Sequence, residues 1–204
     1  MDEVLRRLDA SQRVLVLAHE RPDGDAFGSV YGTVLTLRAA GKTVAGVTER
    51  PLPARYRTIF PALPQVSQSL PSGLWDCVLC LDTSNPERVF PPEGLKVSGA
   101  TVCNVDHHAD NRRYGHLNWV EAGASATAEM LARLLDQPPF GVGADAASCL
   151  LAGMLMDTGG LRFPNTSPTC LRTVAALIER GADYAALSDA LFFREPWERR
   201  RLEA

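Results

Sequence analysis

Residues 13–25 read Arg-Val-Leu-Val-Leu-Ala-His-Glu-Arg-Pro-Asp-Gly-Asp. The run at 13–18 is apolar almost throughout, the pattern of a strand buried on both faces. Pro22 and Gly24 make 19–25 a loop, and the spacing beyond it predicts a helix from Ala26 to Ala40, with Gly41 where a helix C-cap belongs. Strand, loop and helix in that order form the opening half of a βαβ unit. Within that one loop lie His19, Asp23 and Asp25. Pro-Asp-Gly-Asp alone is an ordinary turn. Together with His19, and beneath a helix N-terminus that favours phosphate groups, it is a candidate site.

The arrangement recurs down the chain. An apolar run at 76–81 ends at Asp82, one at 101–105 ends at Asp106-His107-His108, and one at 149–156 ends at Asp157. Three of the four histidines fall in just two of these loops. Carboxylates beside buried segments are costly unless compensated, so several converging on one place call for cations. A cluster of divalent ions is the simplest answer, and phosphate chemistry its simplest use. A carboxylate at the C-terminal end of a helix, as at Asp157, is opposed by the helix dipole and needs another partner.

Outward from these runs, further elements are predicted: a short helix at 2–9, a strand at 43–48, and helices at 125–136, 144–156, 168–180 and 183–193. Thr166 or Ser167 is the expected cap of the helix at 168. The proline- and serine-rich stretch 50–73 reads as loop with one helical turn near 54–60, 86–92 as a proline-rich connection, and 109–121 as a polar loop. Strands alternating with helices indicate an α/β fold, a mostly parallel central sheet flanked by helices. Ligands bind such sheets outside the carboxyl ends of the strands, where the residues of interest sit three times.

Composition narrows the function. The 204 residues have a formal net charge of −3, with no basic field to capture long nucleic acid. The N-terminus is unlike a secretory signal and no apolar stretch reaches membrane-spanning length. Five cysteines in mostly apolar segments read as reduced and cytoplasmic. Cys77 and Cys80 have CxxC spacing, but in a strand they point to opposite faces. Mixed Asp and His donors without thiolate suit Mn²⁺, Mg²⁺, Fe²⁺ or Co²⁺. There are enough of them for two ions, about 3.5–4 Å apart when a carboxylate bridges them. Arg112, Arg113 and Arg162 are candidate phosphate contacts or solvated charges. Ser29 either meets a phosphate or packs, and Tyr114 and Trp119 are read as packing rather than as base-stacking residues.

Four stretches in order resemble the DHH phosphoesterase superfamily: His19-Glu20-Arg21-Pro22-Asp23-Gly24-Asp25, Asp82 in Leu81-Asp82-Thr83-Ser84, Asp106-His107-His108, and Asp157-Thr158-Gly159-Gly160. The resemblance implies that His19, Asp23 and Asp82 hold one metal. It implies that Asp25, Asp82, His107 and Asp157 hold a second, with Asp82 bridging. His108 would face the substrate phosphate and Asp106 support the site from behind. Mn²⁺ is the implied metal, two ions, with Mg²⁺ or Co²⁺ as substitutes. The flanks Asp106–Gly115, Asn118–Val120, Ser125–Glu129 and Arg162–Ser167 are similar to the oligoribonuclease and pAp phosphatase branch, where pAp is 3′-phosphoadenosine 5′-phosphate. That branch implies hydrolysis of short RNA or DNA oligonucleotides to mononucleotides and removal of phosphate from pAp. Manganese pyrophosphatases, with Asp-Thr-Asp in the first motif, rank lower. The alternatives are a cyclic-dinucleotide phosphodiesterase and a nucleotide-binding domain without turnover. Branch members carry a second domain with a glycine-rich motif ending in histidine, which this sequence lacks. The expectation is a catalytic domain at 1–193 and the start of an interdomain linker at 194–204. The oligomeric state is left open between monomer and homodimer.

Overall fold

The structure, a computed structural model, describes residues 1–57 and 66–193. Among these residues seven strands occur, β1 (Arg13–His19), β2 (Thr43–Val47), β3 (Val66–Ser67), β4 (Cys77–Leu81), β5 (Val89–Phe90), β6 (Thr101–Asp106) and β7 (Leu117–Val120). The α-helices among them are α1 (Asp2–Ala10), α2 (Gly24–Ala39), α3 (Ala54–Arg57), α4 (Thr127–Leu135), α5 (Ala144–Asp157), α6 (Pro168–Glu179) and α7 (Tyr184–Ser188). The sheet runs β3-β2-β1-β4-β6-β7, every pair on that path parallel, while β5 pairs antiparallel with the end of β1. The expected mostly parallel sheet is therefore present.

Side-chain alternation divides the core in two. Val14, Val16, Ala18, Cys77, Leu79 and Leu81 face a large core shared with the α-helices. Leu15, Leu17, Val78 and Cys80 face a smaller cluster with Trp75, Val89 and Val102. Period-two alternation is what a strand imposes, and it puts Cys77 and Cys80 on opposite faces as expected. Among the described residues no α-helix supplies a buried residue to the smaller cluster; the 3₁₀ turn Pro92–Lys96 brings Leu95 against it instead. The α-helices thus pack their buried faces on one side of the sheet.

Several expectations are corrected. Helix α2 begins at Gly24 rather than Ala26, because the Asp23 carboxylate caps it by accepting from the N–H groups of Asp25 and Ala26. The polar loop 109–121 contains the edge strand β7, whose four residues are too few to show alternation and whose register comes from β6. The stretches 50–73 and 86–92, read as loop, contain β3 and β5, each two residues long. Residues 183–193 are not one helix: α7 gives way to a π-helical turn at Asp189–Phe193. Ser167 caps α6 by accepting from Cys170 N–H. Of the helical turn placed at 54–60, residues 54–57 are helical and 58–60 lie outside the described residues, as does the expected linker at 194–204.

Candidate metal centre

The register of three parallel strands brings the motifs level. Leu17 is paired with Cys80 and Leu81 with Val105, so His19, Asp82 and Asp106 leave the sheet side by side at its carboxyl edge. The chain runs from β1 outward to β2 in one direction, while β4 lies on the other side of β1. That reversal makes the gap between β1 and β4 the switch point where α/β sheets bind ligands.

Asp82 is at the centre. Its side chain is 2% exposed, and its backbone adopts φ 55°, a left-handed conformation that a non-glycine residue seldom takes and that clusters at functional sites. His19 Nε2 is 3.5 Å from Asp82 Oδ2 and 3.9 Å from Asp23 Oδ1. On the other side, His107 Nε2 is 3.6 Å from Asp82 Oδ1 and 3.3 Å from Asp157 Oδ2. One carboxylate therefore offers a different oxygen to each histidine. His19, Asp23 and Asp82 converge as one group able to hold a metal ion, and Asp25, His107 and Asp157 as another.

Asp25 is fully buried near the start of α2. Its Oδ1 accepts from Ala128 N–H at 2.9 Å and from the Ser29 hydroxyl at 3.2 Å, and its Oδ2 accepts from Thr127 N–H at 2.6 Å. Each oxygen has two lone pairs, so Oδ2 keeps one for a metal. Close helix packing brings Asp25 to Asp157. A Cβ on Gly28 would lie 2.5 Å from the Cys149 carbonyl oxygen, and one on Gly153 would lie 3.0 Å from Asp25 Oδ1. Only glycine lets α2 and α5 approach this far.

His108 is placed differently. A third combination, Asp82 with His107 and His108, also has metal-holding spacing. However, His108 Nδ1 lies 2.7 Å from Asp106 Oδ1, which leaves Nε2 free on a half-exposed ring. Asp106 is fully buried and also accepts from the Asn111 amide at 2.6 Å.

The electrostatics show a centre short of positive charge. Burial disfavours charge on His19, yet Asp23 and Asp82 overcome it and raise its pKa to about 10. Burial, with Asp82 and Asp23 adding repulsion, pushes Asp157 up to about 7. Asp25 moves well upward from burial and the charges of Asp82 and Asp157. The Asp106 hydrogen bond raises His108 to about 9 against burial. Burial works against the Asp106 carboxylate, but hydrogen bonds from His108 and Asn111 win and hold its pKa below the usual range. Carboxylates that take up protons so readily also attract metal ions. The oxygen and imidazole donors, without thiolate, fit hard or borderline divalent ions.

The residues expected to contact substrate fare unequally. Ser29 is fully buried with its hydroxyl on Asp25, so it supports a ligand candidate and does not line the open face. Arg162 is exposed, with Nε on the Gly159 carbonyl and its guanidinium over Phe192. Arg113 is exposed at φ 50°, and Arg112 pairs with Glu87 at 3.2 Å. Trp119 is buried and the Tyr114 hydroxyl meets the Asn104 amide, so both pack. Sequence reading missed Asn111 and Thr127 as supports, and also Arg88, whose guanidinium lies 3.3 Å from His19 Nδ1. No periodicity or motif chemistry marks an amide or hydroxyl that acts on a distant carboxylate.

An aspartate in a left-handed backbone conformation, at a parallel-sheet switch point and between two Asp/His groups, makes this a candidate metal centre. The profile of the DHH family, N-terminal domain, matches residues 13–154, and the chain belongs to that family. It is 38% identical over 197 residues to the bifunctional oligoribonuclease and PAP phosphatase NrnA of Thermus thermophilus, covering 95% of this chain and 57% of that protein. It is 31% identical to the Bacillus subtilis protein of the same name, covering 93% and 60% respectively. The chain thus spans somewhat over half the length of these relatives. Among solved structures, an exopolyphosphatase-related protein from Bacteroides fragilis superposes with a TM-score of 0.82 at 20% identity, over 98% of this chain and 62% of that one. That likeness extends the shared fold to nearly the whole chain.

Proposed function

We propose that this chain is the catalytic unit, at residues 1–193, of a divalent-metal-dependent phosphoesterase that cleaves short oligonucleotides to mononucleotides and removes phosphate from pAp. The observation that carries the reading is the Asp82 carboxylate, one oxygen 3.5 Å from His19 Nε2 and the other 3.6 Å from His107 Nε2. His19, Asp23 and Asp82 hold one ion, and Asp25, Asp82, His107 and Asp157 a second, with Mn²⁺ the preferred metal and Mg²⁺ or Co²⁺ as substitutes. When bound, such a pair supplies Lewis-acid stabilisation of phosphoryl charge and an activated water. His108, oriented through Nδ1 by Asp106, presents Nε2 to the scissile phosphate and donates a proton to the leaving oxygen. Arg113 and Arg162 hold substrate phosphates on the exposed side. The relatives' names support the choice of substrates. Five buried free cysteines support the cytoplasm as the compartment, and no described helix is long and apolar enough to cross a membrane.

The test is release of mononucleotides from short RNA, and of phosphate from pAp, with and without Mn²⁺. The expected result is Mn²⁺-dependent turnover that Asp82→Ala lowers by more than about 100-fold, beyond the range for loss of a supporting contact. Unchanged turnover in that variant overturns the assignment. Faster cleavage of cyclic di-AMP than of its linear dinucleotide reassigns the chain as a cyclic-dinucleotide phosphodiesterase. Nucleotide binding with no product makes it a binding domain.

A further inference from the structure

One residue outside the proposed ligand set touches both halves of the centre. Thr127 is fully buried at the first position of α4. Its hydroxyl donates to Asp82 Oδ1 at 3.0 Å, and its backbone N–H donates to Asp25 Oδ2 at 2.6 Å. The next N–H, that of Ala128, donates to Asp25 Oδ1 at 2.9 Å. Helix α4 has no side-chain cap of its own, since Ala126 occupies the cap position. The Asp25 carboxylate from α2 takes the place of that cap, closing N–H groups a helix start leaves open.

We propose that Thr127 is a positioning residue that sets the orientation of the bridging carboxylate and ties it to the second ion position. This rests on the metal reading above. A carboxylate turns easily about its last side-chain torsion, which has broad rather than staggered wells. The Thr127 hydroxyl takes one lone pair of Asp82 Oδ1 and so directs the remaining one toward the His107 side. Among the described residues no hydroxyl or amide donates to Oδ2, which faces His19 Nε2 at 3.5 Å. Because the same residue's N–H holds Asp25, a shift of α4 moves the bridge and a ligand of the second ion together. Polar groups behind metal ligands commonly do this work, and their loss costs roughly 10–100-fold in metal affinity.

Thr127→Val separates the two contacts. Valine keeps the volume and β-branching and leaves the backbone N–H on Asp25, so the helix start keeps its partner while Asp82 loses its donor. Mn²⁺ titration by calorimetry on wild type, T127V and T127S, with electron paramagnetic resonance of the loaded proteins, reads the effect without turnover. The expected result is a roughly 10–100-fold weaker affinity for at least one ion in T127V. The exchange signal of a bridged Mn²⁺ pair should also be altered, and T127S should restore both. Should T127V not fold, Thr127→Ala carries the same expectation. Wild-type affinity and exchange signal in the variant lacking the hydroxyl overturn the inference, as does T127S remaining as weak as T127V. Absence of divalent-ion binding in wild type overturns the metal reading itself, and this inference with it.

Discussion

His108 and Asp106 are neighbours but one in sequence, yet opposite in environment: a half-exposed imidazole and a fully buried carboxylate joined at 2.7 Å. The carboxylate sets which ring nitrogen carries a proton and raises the His108 pKa to about 9. Asp106→Asn keeps the shape and removes the charge, so the His108 pKa falls back toward 6.5. An acid is useful only below its pKa. The alkaline limb of the pH–rate profile should therefore move to lower pH, and kcat at pH 8 should fall by roughly 30-fold, as the protonated share of His108 drops with its pKa. Measured pH–rate profiles of both proteins check this. A limb that stays in place rules out His108 as the acid.

Helices α2 and α5 are the elements whose packing builds the centre, because each carries a proposed ligand. The small residues Gly28 and Gly153 sit at their crossing. Gly28→Ala places a methyl group 2.5 Å from the Cys149 carbonyl oxygen and 2.8 Å from Gly153 N, both backbone atoms that cannot step aside. The helices must separate, at a cost of about 1–3 kcal/mol, as for other overpacked interiors. Urea unfolding should show that loss in the chelated protein, and Mn²⁺ titration should show weaker binding as Asp25 and Asp157 move apart. At this scale α2 and the buried strands were legible because they are long, apolar and bounded by Pro, Gly or Asp. β3, β5 and β7 were not, because two to four residues carry no measurable period and their pairing is imposed by a neighbouring strand. The split of 183–193 into α7 and a π-helical turn was equally hidden, since an apolar stripe does not distinguish the two helix types.

For the whole molecule, the excess of carboxylates in the centre links stability to pH. His19 in the folded chain titrates at about 10 against 6.5 when free. Its contribution is fully present below about pH 6.5 and is lost as pH rises through about 10. Asp157 titrates at about 7 against 3.8. The folded chain keeps a proton that the unfolded chain releases, so this contribution too is present below 3.8 and fades as pH rises through about 7. Asp25 moves in the same direction. Asp23 and Asp106 are lowered, and their contribution is present above 3.8 and lost as pH falls. The chelated protein should therefore lose thermal stability as pH rises from about 5 to 9. Mn²⁺ should remove most of that slope, with protons released on binding. Melting curves with EDTA and with Mn²⁺ check the sign; a chelated protein that gains stability over that range contradicts it.

The sequence alone determined the α/β class, the buried strands and which Asp and His residues were candidates for the site. Those depend on local composition: an apolar run ending in Asp or His shows both a buried element and the charge at its end. Only the tertiary structure decided which of these side chains converge in one group, which oxygen of Asp82 faces which histidine, and that Ser29 supports Asp25 instead of facing solvent. It alone brought Thr127 to two carboxylates from 45 and 102 residues earlier. The reason is physical: strand register and helix crossing are settled by packing between segments far apart in the chain, and no local pattern records where a distant carboxylate will stand.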